Sequence, residues 1–149
     1  MPKYGKYRRK GPKDWFPATK ADPPKFDRLR TRFIDSYLET ALWASTYPEG
    51  EPLDEDFSVK DFSREAITQA VQDCDRFLFE NKADLDSVGT PEQHGHDFWL
   101  TRNGHGAGFW DRGYGEVGKR LSESARSYGP MTVVVGEGDW SNLLYMEEG

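Results

Sequence analysis

"HGHDFWLTRNGHGAGFWDRGYGEVG", residues 94–118, gathers all three histidines of the chain, two of its five tryptophans and seven of its 15 glycines. Within it, the aromatic-rich runs "DFWLTRN" and "AGFWDR" flank "NGHG". Asn and Gly tolerate the positive φ that tight turns require, so the pattern predicts two antiparallel strands joined by a hairpin turn. Side chains alternate across a strand, and both two-residue turn registers give the same faces. Phe98, Leu100, Ala107 and Phe109 are expected on one face. Trp99, Thr101, Asn103, Gly108, Trp110 and Arg112 are expected on the other, with Asp97 on the Trp99 side of its own strand.

Upstream, "DPPKFDRLRTRFIDSYLETALWAST" opens with prolines suited to a first helical turn, and Phe26, Leu29, Phe33, Ile34, Tyr37, Leu38, Ala41 and Leu42 recur at helical spacing. The Pro- and acid-rich "YPEGEPLDEDFSVKD" is read as a loop. A second helix follows, with Ser63 as N-cap, Glu65 in the first turn, and Ile67, Ala70, Val71, Cys74, Phe77 and Leu78 on one stripe. Cys74 therefore belongs to the core. After the Gly/Pro break "VGTPEQHG" comes the hairpin, then a third helix in "YGEVGKRLSESARSYGP" stopped by Gly129-Pro130. "MTVVVGEGDWSNLLYM" is read as strand, turn and short strand. The expected fold class is α+β, two N-terminal helices packed with a small antiparallel sheet in the order α-α-β-β-α-β-β.

Length and composition fit one globular domain: 149 residues, 36% hydrophobic and 14% aromatic. No apolar run is long enough for a membrane span, and the first residues lack the apolar core of a signal peptide. The single cysteine rules out an internal disulfide and fits a reducing compartment. Charge is divided unevenly. Residues 1–24 carry seven basic groups (Lys3, Lys6, Arg8, Arg9, Lys10, Lys13, Lys20) against Asp14 and Asp22, an excess of five positive charges. Since the whole chain stands at -6, the remainder carries eleven negative charges in excess. The division expected is a basic flexible arm over 1–24 and a single α+β domain over 25–149. The arm, through Lys3, Lys6, Arg8, Arg9 and Lys10, suits phosphates of nucleic acid or an acidic partner surface, and Trp15 and Phe16 give it apolar groups for docking.

Three groups of residues could carry chemistry. His94, His96, Asp97 and Asp111 are metal-ligand types, with His94 and His96 at i, i+2, although their spacing matches no specific metal motif. Gly113, Gly115 and Gly118 satisfy G-x-G-x-x-G ahead of a helix. Too little chain remains for a full dinucleotide-binding domain, so the weaker expectation is a Gly-rich helix start offering N–H groups to an anion. Trp99 and Trp110 fall side by side on the expected hairpin, with Thr101, Asn103 and Arg112 beside them, a surface suited to stacking a nucleobase while Arg holds phosphate.

"FIDSYLETALWAS", "EPLDEDFSVKDFSREAI", "HDFWLTRNGHGAGFWDRG" and "VVVGEGD" together resemble a family of small proteins encoded by tailed bacteriophages and related mobile elements. The resemblance covers roughly residues 33–140, and "DFWLTRNGHGAGFWDRG" is its most specific part. Where the family has a "GDDG"-like turn, this chain has "GEGD". The resemblance implies a phage gene acting in the bacterial host cytoplasm, and it assigns no activity, cofactor or catalytic residue. The expectation from the residues is a non-enzymatic accessory protein of the host-takeover or anti-defence type, binding a host nucleotide, nucleic acid or protein. Trp99 and Trp110 are expected to stack, Thr101, Asn103, His105 and Arg112 to give polar recognition, and Gly113 and Gly115 to donate backbone N–H groups. No cofactor and no membrane partner are expected. The alternatives are a metal-dependent hydrolase or nuclease using His94, His96, Asp97 and Asp111 with a divalent metal, and a minor virion or assembly protein.

Overall fold

The computed structural model describes residues 24–149, so the basic arm of residues 1–24 lies, save for Pro24, outside the described residues. Among the described residues the chain forms α1 (Pro24–Trp43), α2 (Arg64–Glu80), the short α3 (Lys82–Ser87), α4 (Pro91–Arg102) and α5 (Glu116–Arg126). Strands β1 (Met131–Val135) and β2 (Leu144–Glu148) follow. The fold is therefore helical with a small two-stranded antiparallel sheet. The expected order α-α-β-β-α-β-β, with two N-terminal helices against a larger sheet, is not the one adopted.

The difference lies in residues 91–112. "TPEQ" opens α4 as a reciprocal capping box: Gln93 N–H donates to Thr90 Oγ1 and Thr90 N–H to Gln93 Oε1, both at 3.2 Å. Pro91 supplies the fixed φ and missing N–H that a first helical turn accepts. Residues 97–102, expected as a strand, complete this helix. Residues 107–112 are not a strand either, since Phe109–Asp111 is a single 3-10 turn. The expected faces dissolve accordingly. Phe98 and Trp99 are both buried, while Ala107 is exposed.

Helix α4 is covered on every side, and the buried set His94, Gly95, Asp97, Phe98, Trp99, Leu100, Thr101 and Arg102 runs around its whole circumference. Its most extensive contact is with α1. Gly95 makes that approach, because a Cβ at this position would stand 2.1 Å from the Phe33 carbonyl oxygen. Beyond it, Phe98 stacks on Phe77 at 4.2 Å and meets Tyr37 and Tyr128 at 5.1 Å each, forming the centre of an aromatic core.

Arg102 ties four segments together from the end of α4. It donates to Tyr37 Oη (2.9 Å) on α1, Asp73 Oδ2 (2.8 Å) on α2, and the carbonyls of Tyr128 (3.1 Å) and Gly129 (2.8 Å) after α5. Its side chain is 2% exposed, and four hydrogen bonds distribute the buried charge. Burial favours the neutral form, but Tyr37 and Asp73 outweigh it and hold the pKa above the ordinary arginine value.

The two strands pair from Met131↔Glu148 to Val135↔Leu144. They are fixed at both ends of the fold. Ser63, which caps α2 by accepting from Ala66 N–H at 3.0 Å, donates its own N–H to the Leu144 carbonyl at 2.7 Å. Met131 N–H donates to Asn103 Oδ1 at 2.8 Å. Cys74 is fully buried in the core, and burial pushes its thiol well above the usual range. Among the described residues no helix is long and apolar enough to cross a membrane.

Gly95→Ala tests the α1 contact. Intrinsic helix propensity alone would make alanine stabilising by about 1 kcal/mol. Here the new methyl meets backbone, so the variant should lose about 3 kcal/mol in urea unfolding, at the upper end of overpacking effects. A gain in stability would show that α1 and α4 do not approach at this residue.

Candidate functional site

Two interactions from α4 organise the loop between residues 103 and 115. The Thr101 hydroxyl is buried and accepts the Phe109 N–H at 3.2 Å. Asp97, 1% exposed, receives Arg112 Nε at 2.6 Å and Nη2 at 3.0 Å. This two-point geometry fixes the plane of the guanidinium, and the hydrogen bond to Asp97 raises the Arg112 pKa further. Gly108 must lie against Thr101, since a Cβ there would come within 2.1 Å of its hydroxyl. Asp111 Oδ1 closes the 3-10 turn by accepting from Gly108 N–H at 3.1 Å.

Arg112 also lines a cleft of about 460 Å³, together with Gly89, Gln93, Ala107, Asp111 and Tyr114. Arg112 makes its hydrogen bonds through Nε and Nη2, so among the described residues Nη1 is uncommitted. Gln93 uses its carbonyl oxygen in the α4 capping box, which leaves the amide NH2 available. Tyr114 carries its proton firmly, because burial raises its pKa despite the opposing charge of Arg112. The cleft thus offers a guanidinium edge, an amide and a phenol as donors, with Asp111 as its one acidic lining group. Trp110, 49% exposed, stands on the adjoining 3-10 turn.

The residues singled out in the sequence separate into different environments. Arg112 is in the cleft, and Gly113 and Gly115 follow it with φ of 77° and 64°, values that glycine adopts readily. Gly115 is the N-cap of α5, and what precedes it is a turn instead of a strand. Trp99 is 2% exposed and packs edge-on against Tyr37 at 5.3 Å, so it does not form a platform with Trp110. Asn103 ends α4, donating to the Trp99 carbonyl at 2.9 Å and accepting from Met131. His105 is exposed on the loop, its N–H bonded to the Leu100 carbonyl.

The four metal-ligand types do not converge. Asp97 is occupied by Arg112 and Asp111 by the Gly108 N–H. Thr40 Oγ1 gives its proton to the Ser36 carbonyl and accepts from His96 Nδ1 at 3.0 Å, and the His96 ring lies 5.8 Å from exposed Trp43. His94 is buried elsewhere. Among the described residues no group of three or more His, Cys, Asp or Glu side chains is placed to hold a metal ion. Gln93 and Tyr114 were not singled out in the sequence, though the capping box in "TPEQ" marks where Gln93 would be held.

The chain matches no family model, no curated protein and no solved structure.

His94 gives the fold a pH signature. It is 5% exposed, and burial holds its pKa below the ordinary value, with Arg112 acting in the same direction. A hydrogen bond with the Val88 backbone and the charges of Asp97 and Asp86 act against that shift. The unfolded chain takes up this proton near pH 6.5 while the native protein resists it, so stability is full above about 6.5 and falls as pH drops toward the lower native pKa. Urea unfolding between about pH 7.5 and 5.5, above the main carboxylate range, should show the decline in the wild type and a flatter profile in His94→Gln. Equal slopes in the two proteins would contradict this assignment.

Proposed function

We propose that this protein is a small non-enzymatic accessory protein of the phage type, and that it binds a host nucleoside monophosphate in the Arg112 cleft. One observation carries the reading: buried Asp97 holds Arg112 through Nε and Nη2, and the same arginine lines an open polar cleft with Nη1 uncommitted among the described residues. A preorganised guanidinium suits phosphate, and Gln93 and Tyr114 add neutral donors beside it. Trp110 offers an exposed aromatic face two residues from that charge. The eleven-charge negative excess beyond residue 24 favours a ligand with one phosphate over a polyanionic strand at this surface. The resemblance of "DFWLTRNGHGAGFWDRG" to phage-encoded proteins supports the host setting, with the bacterial cytoplasm as the place of action.

Isothermal titration of the full chain with the four common ribonucleoside 5′-monophosphates tests the reading. Saturable binding is expected for at least one, weakened about tenfold by Trp110→Ala and measurably by Tyr114→Phe, neither of which disturbs the Asp97 pair. Absence of saturable binding at millimolar nucleotide, or affinity indifferent to both substitutions, would contradict it.

A further inference from the structure

The small sheet has an edge that the described fold leaves open. In the pairing of β1 with β2, Gly149 N–H donates to the Pro130 carbonyl at one end and Gly136 N–H to the Leu143 carbonyl at the other. Main-chain groups alternate in direction along a strand, so Thr132 and Val134 face β2 while Met131, Val133 and Val135 face away from it. Two further bonds agree with that alternation. Met131 N–H leaves the sheet to reach Asn103 Oδ1 at 2.8 Å, and Leu144, paired with Val135, gives its carbonyl to Ser63 N–H on the outer edge of β2. Beyond Met131 the outer edge of β1 differs. The N–H and C=O of Val133 and of Val135 have no partner among the described residues.

Met131, Thr132 and Val133 line a groove of about 210 Å³ together with Ala44, Ser45 and Thr46, the residues that follow α1. Thr132 is exposed and Val135 half-buried, so the strand is accessible on either side of Val133. An open edge is a template for another extended chain, and β1 (MTVVV) carries no charge and no proline to discourage pairing.

The charge around the groove defines which chain fits. Thr46 opens a loop closed by its bridge to Pro52, and between Ala44 and Phe57 stand Glu49, Glu51, Asp54, Glu55 and Asp56, all exposed, with no basic residue. Glu137 and Asp139 follow the other end of β1. The matching partner is an extended basic segment. Such a segment precedes Pro24: Lys3–Lys10 (KYGKYRRK) holds five of the seven basic groups there, without an acid or a proline, so each residue has an N–H to donate. Its reach is sufficient. The 20 residues of α1 cover about 30 Å between Pro24 and the segment that lines the groove. Residues 11–23 extend to about 43 Å, enough to return along the helix.

We propose that Lys3–Lys10 of the same chain adds to the free edge of β1 as a third strand, its backbone bonding Val133 and Val135 and its basic side chains facing the acidic loop of residues 49–56. A second copy of β1 on this edge is disfavoured, because each described body carries the same negative excess. The inference stands apart from the nucleotide reading, whose cleft uses no residue of β1.

NMR of the uniformly 13C,15N-labelled full-length protein tests it. Nuclear Overhauser contacts are expected between residues 3–10 and β1, and they should persist on dilution. In a full-length Arg8→Glu/Arg9→Glu/Lys10→Glu variant, the Val133 and Val135 amides should exchange with solvent about tenfold faster while Val134, bonded to β2, keeps its rate. If the variant loosened the whole sheet, Val134 would report it and the wild-type contacts would decide. Absence of contacts between residues 3–10 and β1, their loss on dilution, which marks a second copy as the source, or unchanged Val133 and Val135 exchange in the variant would each overturn the proposal.

Discussion

A helix buried on all sides must find a partner for every polar group it carries, and in this protein that requirement falls on α4. Four of its buried side chains, His94, Asp97, Thr101 and Arg102, are polar or charged. An isolated buried charge is strongly unfavourable, so each charged group dictates where another segment lies. Arg102 draws in Tyr37, Asp73 and the carbonyls after α5, fixing three helices around one guanidinium. Asp97 and Thr101 draw in the loop that carries Arg112 and Phe109. At the end of the helix Asn103 takes the first N–H of β1, so the sheet is also referred to α4.

The proposed nucleotide cleft is a consequence of the same arrangement. Because Asp97 is satisfied by Nε and Nη2 of Arg112, Nη1 is left uncommitted among the described residues, in a loop otherwise held by backbone and Thr101 contacts. His94 shows the opposite case: its ring is brought into the interior by the helix, but Nε2 is left without a partner among the described residues. Gly89 has room for no side chain, lying against Tyr114 Oη and Gln93 Oε1 as well as His94 Nε2. In the proposed reading, the negative excess beyond residue 24 disfavours polyanions and exposed Trp110 supplies the aromatic face.

Much of the periphery was legible in the sequence because peripheral elements keep one apolar face. The stripe from Ile67 to Phe77, the Ser63 cap and the Gly129 stop each carry local signatures, and all appear at those positions. The central helix carries no such stripe, since polar residues lie inside and aromatic residues run through adjacent positions. "DFWLTRN" therefore looked like a strand, and "NGHG" looked like a hairpin turn where it is the exit from a helix. The capping box in "TPEQ" was the available signal, and it was obscured by the Gly and Pro around it. Of the proposed cleft, Arg112 was legible as a candidate ligand-binding residue. Its pairing with Asp97 was not, because it depends on the i, i+4 spacing of Asp97 and Thr101 along a helix that the sequence pattern hid.

The claim that a buried carboxylate positions the ligand-facing guanidinium is tested most directly by a double-mutant cycle in urea unfolding, using Asp97→Asn, Arg112→Gln and the two together. Exposed ion pairs couple by about 0.2–1 kcal/mol, whereas removing one partner of a buried pair leaves an uncompensated charge and costs about 3–5 kcal/mol. With Asp97 buried and the Arg112 side chain 30% exposed, a coupling of about 2 kcal/mol is expected. Additivity within about 0.5 kcal/mol would contradict the account, because Arg112 would then be held by something other than Asp97.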